Sequence, residues 1–346
     1  MISVKETENL TVDHVDRRII HALQIAPRAA FGRIAAAVEV SEPTVARRYH
    51  RLVRAGLVRV IGVVNPRPLG QATWMVRLRC KPHGTAALAR SLAAREDVSW
   101  VTTSADGAEV TFAVRSLSAE TREDLLIQRL PRSTPVLAID AAVELHQYLG
   151  GAARYRSMFA DALGGTAGAR LRAEDAPDPA PPLHGGAVAL EDHDRAIIAV
   201  LARDGRASYT DLAAAAGITE GRAARAFELL TQARVVAIDV DLAVAALGYT
   251  SRAGLWLSVA PSRLEAAGRA IAAMPEVTYV GAMSGRQNLF AAVMCRSLDE
   301  LYLFLTQGIA RIEGVQSSQL TPVVTSVKQS GSLMDEDRFA VESPRR

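Results

Sequence analysis

The sequence predicts an α+β fold that is built twice along one chain. Each copy is predicted to hold a winged helix-turn-helix followed by a ferredoxin-like βαββαβ domain. Three observations support this prediction: an ungapped internal repeat, three short helical segments before a β-branched run, and alternating strands and helices after that run.

The internal repeat covers most of the 346 residues. Asp16-Arg17 in the first copy matches Asp194-Arg195 in the second, an offset of 178 residues (194 minus 16). Leu69-Gly70 matches Leu247-Gly248 at the same offset. Because chance matches between common residues would not keep one register over this distance, we treat the chain as a duplicated unit.

The repeat and the local composition divide the chain into six expected regions. They are a first winged helix-turn-helix (12–66), a first ferredoxin-like domain (70–150), a linker (164–188), a second winged helix-turn-helix (190–245), a second ferredoxin-like domain (250–330) and a tail (331–346). The linker is rich in Gly, Pro and Ala without an apolar period, and the tail is polar. Both are therefore expected to be mobile.

The first module of copy 1 carries start and stop signals for three helices. Pro27 ends the first helix, Ser41 is a good N-cap for the third, and Gly56 is a natural C-cap for it. The β-branched run at 57–64 then predicts a short β-wing. In a winged helix-turn-helix the third helix enters the major groove of DNA, so its polar face is the candidate DNA-binding surface.

On that third helix Val45, Tyr49 and Leu52 recur at intervals of four and three residues and are expected to pack inward, while the opposite, polar face is rich in arginine. The candidate DNA contacts are Ser41, Thr44, Arg47, Arg48, Arg51 and Arg54. An arginine there can donate two hydrogen bonds to guanine or pair with a phosphate, although an arginine-rich face is also typical of plain solvent exposure. The charge of the module favours DNA, because ten arginines against four acidic residues over 12–70 leave +6, in a chain of only +3.

The second module is acidic. Six arginines against nine acidic residues over 190–248 leave −3, and the equivalents of Arg48, Arg51 and Arg54 are Ala226, Leu229 and Gln232. Arg222 and Arg225 are the remaining candidate DNA contacts. Because positive charge supplies much of non-specific DNA affinity, this module is expected to bind weakly or to be a structural partner.

Composition argues against several other classes of protein. No apolar run approaches the ~18 residues of a membrane span, and the first residues are polar and acidic where a signal peptide is basic and then apolar. The two cysteines, Cys80 and Cys295, form no CxxC pair. We therefore expect a cytoplasmic protein with buried thiols, no metal site, no cofactor, no membrane contact and no catalytic motif.

The combined pattern resembles the Lrp/AsnC, or feast/famine, family of transcriptional regulators. The resemblance is carried by residues 15–20, by 40–45 and 51–58 around the third helix, and by 314–315 and 324–330 in the second copy. It implies a regulator that binds double-stranded DNA and whose ferredoxin-like domains sense an amino acid or another small molecule. We expect the two copies to pair within the chain as a pseudo-dimer, and the chain to form a homo-oligomer.

In this family a loop between the two middle strands helps to form the effector site. The equivalent loops here, 104–109 and 283–288, depart from the family's pattern. An amino-acid effector needs acceptors for its ammonium group and donors for its carboxylate, and both loops offer such groups. The candidate effector residues are Asp106, Gly107, Glu109, Ser284, Gly285, Arg286 and Asn288. A polar hairpin turn without a ligand is equally compatible with both loops.

Two other functional classes stay open. Sirohaem decarboxylases resemble this architecture, and histidines would be the natural acid–base groups of such an enzyme. Only His83 and His146 lie in a predicted ferredoxin-like domain. A non-DNA-binding assembly partner would fit the acidic second module but not the basic first one. We predict a sequence-specific regulator that reads DNA mainly with its first helix-turn-helix, and we do not expect an enzyme.

Overall fold

The computed structural model describes residues 11–116, 124–130, 132–150, 154–155, 158–175 and 187–340. The first copy contains α1 (His14–Ile25), α2 (Phe31–Val38), α3 (Glu42–Arg54), β1 (Val58–Val64), β2 (Ala72–Cys80), α4 (Pro82–Ala93), β3 (Val98–Ser104), β4 (Glu109–Ser116), a π-helical turn (Asp124–Arg129) and β5 (Val136–Leu149). Between β4 and β5 the described residues include this helical turn, Leu130 and residues 132–135, while residues 117–123 and 131 lie outside the described ranges.

The second copy repeats this order after an additional helix, α5 (Gly165–Asp175). Its elements are α6 (Asp192–Leu201), α7 (Tyr209–Ala216), α8 (Glu220–Gln232), β6 (Val236–Leu242), β7 (Ser251–Val259), α9 (Leu264–Ala272), β8 (Val277–Met283), β9 (Leu289–Cys295), α10 (Leu298–Leu303) and β10 (Val315–Gln329). The predicted tandem α+β architecture is therefore confirmed. Each helix in the described ranges is too short or too polar to span a lipid bilayer.

The strand after each helix-turn-helix pairs with its counterpart in the other copy. Strand β1 lies antiparallel to β6, with Val58 opposite Leu242 and Val64 opposite Val236. The predicted strand of the wing is therefore present, and each module supplies one strand of a shared two-stranded ribbon. Gly62 allows a close approach there, since a Cβ atom at this position would lie 2.7 Å from Cβ of Leu201.

The strands of the two ferredoxin-like domains form a closed ring. One sheet has the order β3-β4-β2-β5 and the other has the order β8-β9-β7-β10, and every pairing is antiparallel. The sheets join at two seams, β5 with β8 and β10 with β3. A sheet with helices on one face must cover its other face, and the two copies do this for each other, as predicted.

Three apolar cores result from this arrangement of sheets and helices. One lies between each sheet and its own helices, around Phe112 in the first copy and Ile271 in the second. The third lies between the two sheets and is formed by the buried side chains of Met75, Ala113, Ala142, Trp256, Met283 and Phe290. This inner core fills only part of the space between the sheets, and a cavity occupies the rest.

A reciprocal pair of arginines joins the two helix-turn-helix modules. Arg28 donates to the carbonyl oxygens of Gly205 (2.5 Å) and Ala207 (2.9 Å), and Arg206 donates to those of Pro27 (2.5 Å) and Ala29 (2.8 Å). All of these partners are related by the 178-residue offset. The module contact is therefore pseudo-symmetric, and burial of Arg206 in it lowers the pKa of that guanidinium.

Aromatic rings support the same two arginines. Arg28 lies over the rings of Phe227 (4.9 Å) and Tyr209 (5.4 Å), while Arg206 lies over Phe31 (4.6 Å) and Tyr49 (5.6 Å). The ring pairs again occupy equivalent positions in the two copies. Cation–π attraction thus adds to the hydrogen bonds that hold the modules together.

The expectations for the linker and the tail were wrong where the structure describes them. Part of the predicted linker forms α5, whose Leu171 is buried against the first helix-turn-helix. The tail forms two short strands, β11 (Ser332–Asp335) and β12 (Arg338–Phe339), and Phe339 is buried in the same core. The N–H of Phe339 donates to the carbonyl of Gly56, so both segments brace the first module.

Replacing Arg28 or Arg206 with alanine is expected to lower the free energy of unfolding by about 1–3 kcal/mol, since each change leaves two carbonyl oxygens without their donor. Chemical denaturation followed by circular dichroism measures this loss. Arg90→Ala, at an exposed position on α4, is the control and is expected to stay within about 0.5 kcal/mol of the unaltered protein. Unchanged stability of the Arg28 and Arg206 variants would contradict the assignment.

Candidate functional site

Helix α3 begins at Ser41, as predicted. The Ser41 hydroxyl accepts a hydrogen bond from the Thr44 backbone N–H (3.4 Å) and lies 2.8 Å from the Thr44 hydroxyl. Both polar side chains are thereby used to cap the helix. Its apolar face, formed by Val45, Tyr49 and Leu52, is buried in the core of the first module, as the spacing predicted.

Two of the predicted DNA-contacting arginines are held by acids of the same module. Arg48 contacts Asp13 (2.7 Å) and Asp16 (3.0 Å), and Arg51 contacts the other oxygen of Asp16 (2.5 Å). The Asp16 side chain is fully buried. Burial opposes ionisation of Asp13, but the Asp16 backbone N–H and the Arg48 guanidinium outweigh it and lower the pKa of Asp13 to about 2.

This ion-pair cluster gives Arg48 and Arg51 a structural role. Their guanidinium groups hold α3 against α1, and the direct DNA contact predicted for them from the sequence stays a prediction. Removing Asp16 would leave two cations without their buried partner, which is costly in a partly buried site.

A different set of side chains forms the exposed face of α3. Pro43, Arg47, His50 and Arg54 follow one another at intervals of four, three and four residues and are all exposed. Arg47 makes no ion pair with any described residue, and Arg54 donates only to the His50 carbonyl (3.2 Å). The His50 ring stands edge-on to Tyr49 and Phe31, which orients it. His50 was missed in the sequence, although this spacing could have indicated it.

The equivalent face of α8 is different in charge. Glu228 replaces His50 and Gln232 replaces Arg54, while Arg225, the equivalent of Arg47, pairs with Glu228 (2.8 Å). Arg222 is exposed, and Leu229, at the position of Arg51, is an exposed apolar side chain. The second helix therefore presents a carboxylate where the first presents a basic stripe.

The predicted effector loop of the first copy is closed by its own hydrogen bonds. The Ser104 hydroxyl donates to the Asp106 carboxylate, which also accepts from the Ala108 N–H (3.0 Å). Gly107 supplies the left-handed turn at φ 64°. Glu109 pairs with Arg77 (2.9 Å). These side chains hold a tight turn, as in a polar hairpin turn without a ligand.

The loop of the second copy is closed in a similar way. The Ser284 hydroxyl accepts from the Val143 N–H (3.0 Å), and the Arg286 carbonyl accepts from the Ser258 hydroxyl (3.0 Å). Gly285 supplies a left-handed φ of 100°. The Asn288 side chain pairs with both backbone groups of Val259 at 2.8 Å, as a neighbouring strand would.

Arg77 connects the two loops near the pseudo-twofold axis of the ring. It donates to Glu109 of one loop and to Gln287 of the other, both at 2.9 Å, and stacks on Trp256 at 4.8 Å. Of the predicted effector residues, Glu109 thus contacts Arg77 directly, and Gln287 of the second loop shares that arginine. Most polar side-chain groups of the predicted effector residues already have partners.

A cavity of about 1050 Å³ lies between the two sheets and the β1–β6 ribbon. Its floor includes Met75, Trp100, Ala113, Trp256, Tyr279 and Phe290 from the inner faces of the strands. Its roof includes Gly62 and Val63 of β1, Ala237 of β6, and Ile198 and Ala202 of α6. The cavity therefore touches both ferredoxin-like domains and parts of both helix-turn-helix modules.

A buried ionic cluster stands at one wall of the cavity. Arg154 stacks on Trp100 (4.9 Å) and donates to the Ser330 hydroxyl (2.5 Å). Asp239 and Asp241 of β6 are both buried nearby. Burial raises the pKa of Asp239 to about 7, with Arg154 opposing the shift and Asp241 adding to it.

Comparison with known proteins matches both helix-turn-helix modules and the second ferredoxin-like domain. AsnC-type helix-turn-helix domain models match residues 12–53 and 190–228, and the Lrp/AsnC ligand binding domain model matches 252–333. An uncharacterised HTH-type transcriptional regulator of Pyrococcus abyssi is 30% identical over 149 residues, which is 43% of this chain and 94% of that protein. The chain is a regulator-type protein with duplicated helix-turn-helix domains, and it belongs to the Lrp/AsnC family.

Two further comparisons show how this chain differs from single-unit members. Regulatory protein AsnC of Escherichia coli K12 is 27% identical over 147 residues, covering 40% of this chain and 96% of that protein. By contrast, the crystal structure of the siroheme decarboxylase NirDL aligns over 92% of this chain and 93% of its own, with a TM-score of 0.60 and 16% identity. That likeness shows that the whole two-copy fold is shared.

The pH dependence of stability is expected to change when Asp239 is replaced by asparagine. The pKa of Asp239 is higher in the folded protein than in the unfolded chain. Its contribution to the free energy of unfolding is therefore fully present below the unfolded pKa and is lost as the pH rises through about 7. Asparagine does not titrate. Between pH 5 and pH 8 the Asp239→Asn variant should therefore gain about 2–3 kcal/mol relative to the unaltered protein. Denaturation at both pH values measures this difference, and an equal difference at each pH would contradict the assignment.

Proposed function

We propose that this chain is a sequence-specific regulator that reads double-stranded DNA with α3 alone. The observation that carries the proposal is the exposed row of Arg47, His50 and Arg54 on α3. The equivalent face of α8 carries Glu228 in place of His50. Placed in a major groove, exposed arginines can donate to guanine or to phosphates. The Asp13–Asp16–Arg48–Arg51 cluster would hold the helix at a fixed angle.

The charges of the modules support the same assignment. The first module carries +6 and the second −3 over the equivalent stretches counted above. A phosphate backbone attracts the first and repels the second. In this proposal the second module is a structural half that orients the first through the arginine pair and the shared ribbon. A site with two half-sites would then need two chains, which fits the predicted homo-oligomer.

Double substitution of Arg47 and Arg54 by alanine is expected to weaken binding to DNA from the chain's own upstream region. A guanine contact contributes about 1–3 kcal/mol, and a lost phosphate contact lowers the salt slope by about one. Fluorescence anisotropy over a salt series measures both. Arg222→Ala/Arg225→Ala, on α8, is the matched control and should leave affinity and slope unchanged.

The outcomes of that experiment distinguish which helix reads DNA and whether the chain is a regulator. Equal losses in the two double variants would contradict reading by α3 alone. Binding no tighter than to random DNA would contradict the regulator and favour a non-DNA-binding assembly partner or an enzyme. Selective binding that only the α3 variant loses would support the proposal.

A second candidate function is a siroheme-decarboxylase-like enzyme. The observation that favours it is the alignment with NirDL across both copies, because that protein has also been crystallised in complex with an iron-uroporphyrin III analogue. Among the described histidines, only His146 lines the cavity here, and it is the candidate proton donor. Incubation with sirohaem followed by mass spectrometry should show loss of carboxylate groups that His146→Ala abolishes. No loss in the unaltered protein would contradict this candidate.

A further inference from the structure

We propose that the cavity between the sheets and the β1–β6 ribbon binds a planar small molecule that carries two or more anionic groups. Its volume of about 1050 Å³ lies at the upper end of the range for small-molecule sites. The turn cluster around Arg77 leaves most of the predicted effector residues engaged, whereas this cavity is open space lined by charged and aromatic side chains. It is therefore the better candidate for a ligand site.

The charges that line the cavity are predominantly positive. Seven basic side chains line it against two acidic ones, Glu96 and Glu144, while Asp239 and Asp241 are buried beside Arg154. The seven are Arg59, Arg67, Arg115, Arg154, Arg195, Arg203 and Lys328. Such a surplus in a partly enclosed space of low dielectric attracts an anion strongly.

Carbonyl groups, and not carboxylates, satisfy several of these cations. Arg59 donates to the Arg203 carbonyl (3.2 Å), Arg195 to that of Leu190 (3.2 Å), and Lys328 to that of Arg95 (2.6 Å). A carbonyl accepts the hydrogen bond but leaves the positive charge in place. Burial accordingly lowers the pKa of Lys328, which is the direction expected for a cation whose charge is incompletely compensated.

Arg115 is the cation with the clearest need of a partner. It lines the cavity from β4, and its Nε atom is buried without a hydrogen-bond partner in the described part of the chain. Burial lowers the pKa of this guanidinium, while Asp97 opposes the shift. A buried donor without an acceptor is costly, and a ligand carboxylate or phosphate would supply that acceptor.

Aromatic rings on the floor of the cavity favour a flat ligand. Trp256 and Phe290 lie 4.5 Å apart, Tyr279 lies 5.9 Å from Phe290, and Trp100 carries the Arg154 guanidinium on its face. Rings of this kind bind flat conjugated molecules by stacking. A free amino acid would fill only a small part of about 1050 Å³, so a larger planar anion fits the cavity better.

The position of the cavity couples the ligand to the two helix-turn-helix modules. Arg59 belongs to the ribbon and Arg195 to α6, so a ligand that bridges the floor and the roof contacts elements that set the angle between the modules. Such a ligand changes DNA affinity if the two states bind it differently. This coupling rests on the proposed function, whereas ligand binding itself does not.

Tryptophan fluorescence of the full chain tests ligand binding without DNA. The planar anionic probes are uroporphyrin III and flavin mononucleotide. Riboflavin, which lacks the phosphate, and citrate, which lacks a ring, are the matched controls. We expect saturable quenching by at least one planar anion, with at least about tenfold weaker binding of riboflavin and citrate, because each lost charged contact removes a factor of this size.

Two variants locate the site, and one serves as a control. Arg115→Gln on the floor and Arg195→Gln on the exposed roof should each weaken probe binding about tenfold. Arg79→Gln, at an exposed position on β2 that does not line the cavity, should not. The Arg195 variant changes an exposed side chain, so it keeps the test valid if the Arg115 variant fails to fold.

Three results would overturn the proposal: no binding of either planar anion below millimolar concentration, equal binding of riboflavin, or unchanged binding by both variants. A saturating probe should also change DNA affinity about fivefold or more. DNA binding that is present but insensitive to the probe would overturn only the coupling. Probe binding without any DNA binding would overturn the coupling and the proposed regulator, but leave the site.

Discussion

Antiparallel pairing between the two copies of the chain is the interaction on which every other feature depends. Alone, β1 would have an unpaired edge, and each four-stranded sheet would expose an apolar face. Pairing across the copies satisfies both requirements through the shared ribbon and the two seams of the ring. Because the copies are joined covalently, this pairing does not depend on protein concentration.

Covalent duplication also allows the two halves to diverge. In a symmetric homodimer a substitution in the recognition helix alters both DNA-binding heads, whereas here each copy changes by itself. The first copy keeps Arg48 and Arg51 over Asp16, and the second has Ala226 and Leu229 at those positions. The contacts between the modules nevertheless remain pseudo-symmetric, as the equivalent partners of Arg28 and Arg206 show.

Features that depend on local sequence patterns could be predicted from the sequence alone. The register of the repeat, the Ser41 cap, the buried face with Val45 and Leu52, and the order of strands and helices are all confirmed. The buried state of Cys80 and Cys295 was also expected. Each of these depends on spacing, capping or composition within a short stretch, which a single sequence displays directly.

Features that depend on distant partners could not be predicted from such patterns. The partner of β1 lies in the other copy, and the acids that hold Arg48 and Arg51 are more than thirty residues away. Helix α5 has almost no amphipathic pattern, so its packing against the first module was hidden in a Gly- and Ala-rich stretch. The cavity exists only once both sheets and the ribbon are assembled.

Site-directed cleavage of bound DNA would test the central claim most directly. Glu42 and Glu220 are equivalent, exposed residues at the starts of α3 and α8, and the two native cysteines are buried. An iron chelate attached to Glu42→Cys or Glu220→Cys would cut DNA within its reach. Reading by α3 alone predicts localised cleavage from position 42 and none from position 220. Equal cleavage from both positions would contradict it.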